Sequence, residues 1–341
     1  MNRVGAAILG MIALAGCTAG QPAQTGGDAE FRVALVFDEG GRGDKSFNDS
    51  AARGLERIPS ELGGKIQEVD SKSQADYKTN FEQLSLDKPD LIIGVGSTME
   101  KAMFEAADSH PEQKYAIIDV PSDKPNLLGY TFREEEGSFL VGVLAGLTSK
   151  TGKVGFVGGK SIDLIKKFEA GFRAGVKAAR PEAQVVSKYT EDWFDVAKGK
   201  EAALALYASG ADIVYHASGK CGLGVINAAE ERGLLAIGVD SDQDDLAPGH
   251  VLTSMIKRVD LAVLDAAKRA KSGNFKGGTV VLGLKEGGVG ITEMRHTKHL
   301  LPPRALEIVR AYESMIKNGT LKVPTTMEEV EKFVPPPVQT G

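Results

Sequence analysis

The sequence predicts an α/β protein built as two doubly wound lobes. From residue 31 onward, short β-branched apolar runs alternate with amphipathic stretches. The runs are apolar nearly throughout, as parallel strands covered by helices on both faces must be. The pattern then restarts near residue 153, so one set of strands is followed by a second of similar build.

The first set reads "FRVALVF", "KIQEVD", "DLIIGVG", "KYAIIDV" and "NLLGYTF". Between these runs lie helical stretches such as "SFNDSAARGLERIPSEL" and "DYKTNFEQLSLDK". The boundary falls in "FREEEGSFLVGVLAGLTSKTG", where a helix from Glu135 to Leu147 either bridges the lobes or opens the second. The second set reads "KVGFVGG", "AQVVSKYT", "ADIVYHAS", "LLAIGVD" and "VLTSMIK". Runs of this length separated by helical patterns are the signature of βαβ units. A long helix is expected over Pro303 to Asn318. The proline-rich end, "VPPPVQTG", is expected to be mobile or draped on the surface.

In doubly wound sheets, ligands sit outside the carboxyl ends of the strands. The residues just after each strand therefore matter most. They are Asp38, Glu39 and glycines after the first run, "GVGSTM" after the third and Asp119 after the fourth. In the second set they are Gly158 and Gly159, "TEDWFD", "ASGKCGLG", "DSDQDD" from Asp240, and Lys257. Glycine lets backbone approach a ligand closely, and carboxylates accept hydrogen bonds from hydroxyls and amines. The expected cleft is acidic and glycine-rich and carries a few aromatics.

A chain of 341 residues corresponds to about two domains. Its 42% hydrophobic and 26% charged content is that of a globular protein. The net charge of −5 offers no global basic field to recruit nucleic acid. The first residues, "MNRVGAAILGMIALAGC", have the layout of a secretory signal, too short for a spanning helix. "LAGC" ending at Cys17 matches the bacterial lipobox, so residues 1–16 are expected to be removed and the Cys17 thiol acylated. Residues 17–30 are small, polar and glycine-rich, as a flexible tether is. Cys221 is the second cysteine of two. With Cys17 acylated, no intramolecular disulfide can form.

Several motifs imitate known sites and fail on spacing. "GFVGGKS" has Val154 where a phosphate loop needs its first glycine. "GKCGLGVINAA" has Asn227 in place of the third glycine of a dinucleotide fingerprint. "DSDQDD" has Asp245 and Val251 where a calcium loop needs glycine and glutamate. His296 and His299 are expected as surface histidines. Cys221 and His216 suggest a nucleophile, but no third positioned group accompanies them. No catalytic residue, metal site or cofactor is expected from the pattern.

"VFDEGGRGDKSFNDSAARG" resembles the first loop of the basic membrane protein family of bacterial lipoproteins, which includes the purine nucleoside receptor type. Further resemblances follow in order: "DLIIGVGSTM", "GYTFREEEGSFLVGVLAG", "ADIVYHASGKCGLGV", "AIGVDSDQ", "TSMIKRVD" and "GGVGI". They span about residues 31 to 323. The resemblance implies a periplasmic-binding-protein-like type I fold whose chain crosses between lobes more than once. It places residues 31–134 and about 258–280 in the first lobe, and 135–257 and about 281–323 in the second, with 324–341 as a tail. It implies a non-enzymatic receptor, lipid-anchored at the cell membrane and facing the periplasm or cell exterior, that delivers nucleosides to an ABC transporter permease. Carried over by position, Phe47 and Trp193 sandwich the base, with Phe194 as the neighbouring alternative to Trp193. Asp119 bonds the base edge, Asp240 and Lys257 bond ribose hydroxyls, and Asp38, Asn48 and Gly219 complete the contacts. Lys220 and Cys221 stand where the family has small residues.

The chemistry of a nucleoside suits such a cleft. It offers a flat face for stacking, worth about 1–3 kcal/mol per base, and hydroxyls for carboxylates, whose charge-assisted bonds are about twice as strong as neutral ones. A phosphate would meet an acidic wall with one expected lysine, so nucleosides are preferred to nucleotides. A receptor for a sugar or other small polar metabolite, and a secreted nucleoside-processing enzyme, are the competing readings.

Overall fold

The computed structural model describes residues 30–338; the signal layout, Cys17 and most of its tether lie outside the described residues. The first half of the chain runs β1 (Arg32–Val36), α1 (Phe47–Glu56), α2 (Ile58–Leu62), β2 (Lys65–Val69), α3 (Asp76–Asp87), β3 (Leu91–Val95), α4 (Glu100–Ser109), β4 (Tyr115–Ile118), β5 (Leu127–Phe132) and α5 (Glu134–Thr148). It continues through β6 (Lys153–Gly158), α6 (Asp163–Ala179), β7 (Gln184–Tyr189), α7 (Val196–Ala208), β8 (Ile213–Ala217), α8 (Cys221–Arg232), β9 (Leu235–Asp240) and β10 (Val251–Lys257). The last part is α9 (Val259–Lys271), β11 (Gly278–Leu282), β12 (Val289–Ile291), α10 (Ala305–Lys317) and α11 (Met327–Lys332).

Two six-stranded sheets result, ordered β11-β5-β4-β3-β1-β2 and β12-β10-β9-β8-β6-β7. All pairings are parallel except β10 with β12. In both sheets the strand order reverses beside the first strand of the set, between β1 and β3 and between β6 and β8. Such reversals open a crevice at the strands' carboxyl ends. Each sheet thus holds one strand more than the five runs predict. β12 is only three residues long, below the length at which a periodicity can be read. β11 is an edge strand whose residues alternate between half-buried and exposed, so it lacks the continuous apolar character of its neighbours.

Helices cover both faces of each sheet. α3 and α4 pack Tyr77, Phe81, Met99 and Met103 against one face of the first sheet. α1 and α9 cover its other face, approaching so closely that a Cβ on Gly54 would lie 2.5 Å from the Asp260 carbonyl. α7 and α8 cover one face of the second sheet through Leu206, Val225 and Ile226, while α5 and α6 cover the other through Phe139, Leu140, Phe172 and Val176. The stretch expected as one helix after Phe47 is two. The chain bends at Arg57, and Pro59, lacking an N–H, falls in the first turn of α2, where none is needed. Within the described residues the tail packs on the body: α11 lies against α6, where Lys177 Nζ donates to the carbonyls of Val330 (3.1 Å) and Glu331 (3.2 Å).

Candidate ligand-binding cleft

The carboxyl ends of the two sheets meet around a cleft of about 730 Å³, including its open mouth. This volume lies within the range of small-molecule sites. Asp38, Phe47, Asn48, Asp119, Trp193, Gly219, Asp240 and Lys257 all line it. Sequence separations of up to about two hundred residues collapse here because each residue lies between the carboxyl end of a strand and the first turn of the following helix.

The loop from β1 to α1 is built from its own carboxylates. Asp44 accepts hydrogen bonds from the backbone N–H groups of Ser46 (2.8 Å), Asn48 (2.8 Å) and Asp49 (3.1 Å), capping α1 from outside. Asp49 in turn holds the N–H groups of Gly43 (2.8 Å) and Lys45 (2.9 Å). The folded loop presents Phe47 and Asn48, the first residues of α1, to the cleft. Asp38 is fixed by Tyr77, by Thr98 Oγ1 (2.8 Å) and by the Glu39 N–H (2.8 Å). Burial raises its pKa.

Asp119 and Asp240 follow or end their strands with φ of +70° and +62°. This left-handed conformation is uncommon outside glycine, though Asp and Asn tolerate it best. Backbone held this way clusters at ligand sites. Lys257 lies between these carboxylates, with 2% of its surface exposed. Its Nζ is 2.7 Å from Asp119 Oδ1 and 3.1 Å from Glu134 Oε1. Because Asp119 directly follows β4 and Lys257 ends β10, this ion pair ties one sheet to the other. The ammonium also lies 5.1 Å from the Phe47 ring centre, 4.9 Å from Phe132 and 5.6 Å from Phe168. Burial alone would push its pKa down, but Asp119, Glu134 and Asp240 hold it above its usual value. Asp119 is raised by burial against the opposing pull of Lys257. Asp240, which accepts from Ser46 across the cleft, is pushed up to about 7 by burial.

That shift has a measurable consequence. Asp240 titrates near 7 when folded, against an ordinary value of 3.8. The folded state therefore binds the extra proton between those values, and this group's stabilising share is lost as pH rises through about 7. Ligand-free Asp240→Asn protein is expected to melt higher than wild type, by a margin that widens from about pH 5 to about pH 8. His216, lowered to about 4 by burial, works in the opposite sense but is common to both proteins. Thermal melts across that range check the margin; one that stayed flat would remove Asp240 as its source.

The aromatic wall comes from the second sheet. Trp193 lies over Gly159, where a Cβ would come within 2.1 Å of the indole. Phe194 lies over Gly40 of the opposite loop, where a Cβ would come within 2.2 Å of the ring. These glycines thus make room for rings as well as for a ligand. Leu164, Ile165 and Phe168 of α6 complete an apolar wall that the sequence reading did not name. Glu134, fully buried, was also missed; it bridges Lys257 and Lys167, the latter at 2.6 Å. "FREEEGSF" held the signal, three consecutive acids opening an otherwise apolar helix. Asn48 Oδ1, Ser218 Oγ and Trp193 Nε1 are buried on this cleft without a hydrogen-bond partner among the described residues. Buried polar atoms are normally paired, and these three are not.

The imitative motifs serve the fold. Lys160 of "GGKS" reaches Glu39 across the cleft at 3.8 Å. Asp242, Asp244 and Asp245 are held by Arg295 at 3.2, 3.5 and 3.1 Å, and His296 bonds Asp245 at 2.9 Å. His216 bonds Gln243 at 3.0 Å. Burial pushes the Cys221 thiol up to about 11, far from a reactive thiolate.

Comparison with known proteins agrees with this architecture. Residues 31–326 match the family model described as ABC transporter substrate-binding protein PnrA-like. A Listeria monocytogenes protein named CD4+ T-cell-stimulating antigen is 40% identical, covering 86% of this chain and 88% of its own. A Lactococcus lactis protein named ABC transporter nucleoside-binding protein BmpA is 36% identical, covering 84% and 88%. A solved ABC transporter solute-binding protein from Aeropyrum pernix superposes with a TM-score of 0.80 at 30% identity, covering 89% of this chain and 96% of that one. The family and this structural relative are solute-binding proteins, not enzymes. With two largely parallel sheets facing one cleft and a family match over residues 31–326, the chain belongs to the PnrA-like family of ABC transporter substrate-binding proteins.

Proposed function

We propose that this protein is a receptor for nucleosides, with purines favoured, that closes two lobes on its ligand and delivers it to an ABC transporter permease. The observation that carries the reading is the cleft itself: flat faces at Phe47 and Trp193, carboxylates at Asp38, Asp119 and Asp240, the Lys257 ammonium, and an unpaired polar atom on Asn48. A base needs the flat faces, with Asp119 at its edge; ribose hydroxyls need Asp240 and Lys257, and Asp38 and Asn48 complete the contacts. The nucleoside-binding name of the Lactococcus lactis relative supports the same class. Purine is favoured because the aromatic and α6 walls offer room for a fused ring. Cys17, acylated, would hold the receptor to the outer face of a membrane, with its tether leading to β1.

Isothermal titration of purified protein with inosine, guanosine, adenosine and ribose tests the ligand class. Saturable binding of at least one purine nucleoside, and little heat with ribose, is expected. Tight ribose binding with no response to any nucleoside would replace this reading with a sugar receptor. Fractionation of expressing cells tests the anchor: the protein is expected with membranes, and full recovery in the soluble fraction would reject acylation.

A further inference from the structure

We infer that the cleft contains an anion-accepting subsite formed by Lys220, Ser218 and the amino-terminal end of α8, so that the ligand class extends to nucleosides bearing an acidic group, nucleoside monophosphates in particular. This rests on the nucleoside reading above and deepens it.

Three observations converge on the loop after β8. Lys220 lines the cleft, is half-buried, and sits at the N-cap of the twelve-residue α8. It has no ion-pair partner among the described residues, whereas Lys257 is engaged by Asp119 and Glu134, Lys160 by Glu39 and Lys167 by Glu134. Ser218, two residues earlier, is fully buried, lines the same cleft and has an unpartnered Oγ. α8 has no acidic residue in its first turn to offset the positive end of its dipole. The first-turn amides of Cys221, Gly222 and Leu223 already donate to the carbonyls of Trp193, Gly219 and Lys220. The anion would therefore be met by the ammonium and hydroxyl groups, reinforced by the helix end.

The position in the sheet suits this role. β8 stands between β9 and β6, so its loop opens at the point where the strand order reverses. On the β6 side the neighbour is uncharged Gly159. Of the carboxylates lining the cleft, Asp44 is held by three backbone N–H groups, Asp38 by Tyr77 and Thr98, Glu39 by Lys160 and Asp119 by Lys257. Asp240, on the β9 side, stays protonated into the neutral range because of its burial, which lessens its repulsion of an anion. The expectation that phosphate is repelled counted one lysine on the cleft; the fold supplies Lys220 as well.

Titration calorimetry on the full chain with guanosine, guanosine monophosphate and inorganic phosphate tests this. Wild type is expected to bind the monophosphate at least as well as guanosine, with the monophosphate affinity falling more steeply as salt rises. Lys220→Met should raise the ratio of monophosphate to guanosine dissociation constants by about tenfold or more, and Lys220→Arg should largely restore it. Ser218→Ala should shift the ratio in the same direction by less. Binding of guanosine with rejection of the monophosphate, or a ratio unchanged by Lys220→Met, overturns the subsite while leaving the nucleoside reading intact. Binding of inorganic phosphate alone, with no response to either guanosine compound, overturns both, as does no binding at all.

Discussion

Lys257→Met is expected to destabilise the protein by about 3–5 kcal/mol and to abolish measurable ligand binding. The methionine fills much of the same volume, so the loss is electrostatic. It leaves the Asp119 carboxylate, 5% exposed, without its cation, and Glu134 with Lys167 alone. A buried charge stripped of its partner retains the full desolvation penalty. A stability of about 5–15 kcal/mol, usual for folded proteins, leaves enough for the variant to fold. The orphaned Asp119 carboxylate can escape the penalty by binding a proton. The deficit should therefore shrink toward about pH 5 and grow toward about pH 8, a trend that denaturant melts across this range would show. A uniform deficit would mean that packing, not charge, is what Lys257 supplies.

Phe47→Ala is expected to weaken nucleoside binding by more than tenfold, the equivalent of about 1.4 kcal/mol or more. Phe47 opens α1 and is packed against the core on one side, while its other side faces the cleft and the Lys257 ammonium. Truncation removes the stacking face and lets water reach the ion pair behind it. Calorimetry at matched pH reads the loss, with a melt of the same sample to show that the variant is folded. An affinity within threefold of wild type would remove the ring from the site.

Which strand ends carry polar or glycine residues was legible from the sequence because a doubly wound fold dictates where to look. The cleft residues follow directly: Asp38, Asp119, Asp240 and Lys257 each stand at or just beyond a strand's end. What the sequence does not reveal is which helix face turns toward the cleft. α6 is amphipathic, and nothing local distinguishes Leu164 and Phe168, which line the cleft, from Phe172, which packs in the core. Glu134 is another case. Its neighbours Glu135 and Glu136 are also acidic, and only the folded chain shows that Glu134 reaches Lys257. The partners of a loop lysine are equally invisible: Lys160 pairs across the cleft, whereas Lys220 stands on the cleft with no ion-pair partner among the described residues. The opening glycines of the β1–α1 loop also acquire a sharper role, since Gly40 is the floor on which Phe194 rests.

Trp193 is the single tryptophan of the chain, so its fluorescence reports on the cleft alone. Titrating purified protein with guanosine while following that emission tests most directly whether a base is held against this ring. A saturable change with guanosine and none with ribose is expected, with the midpoint moved more than tenfold by Phe47→Ala. Saturation by ribose with indifference to guanosine would contradict the nucleoside clamp.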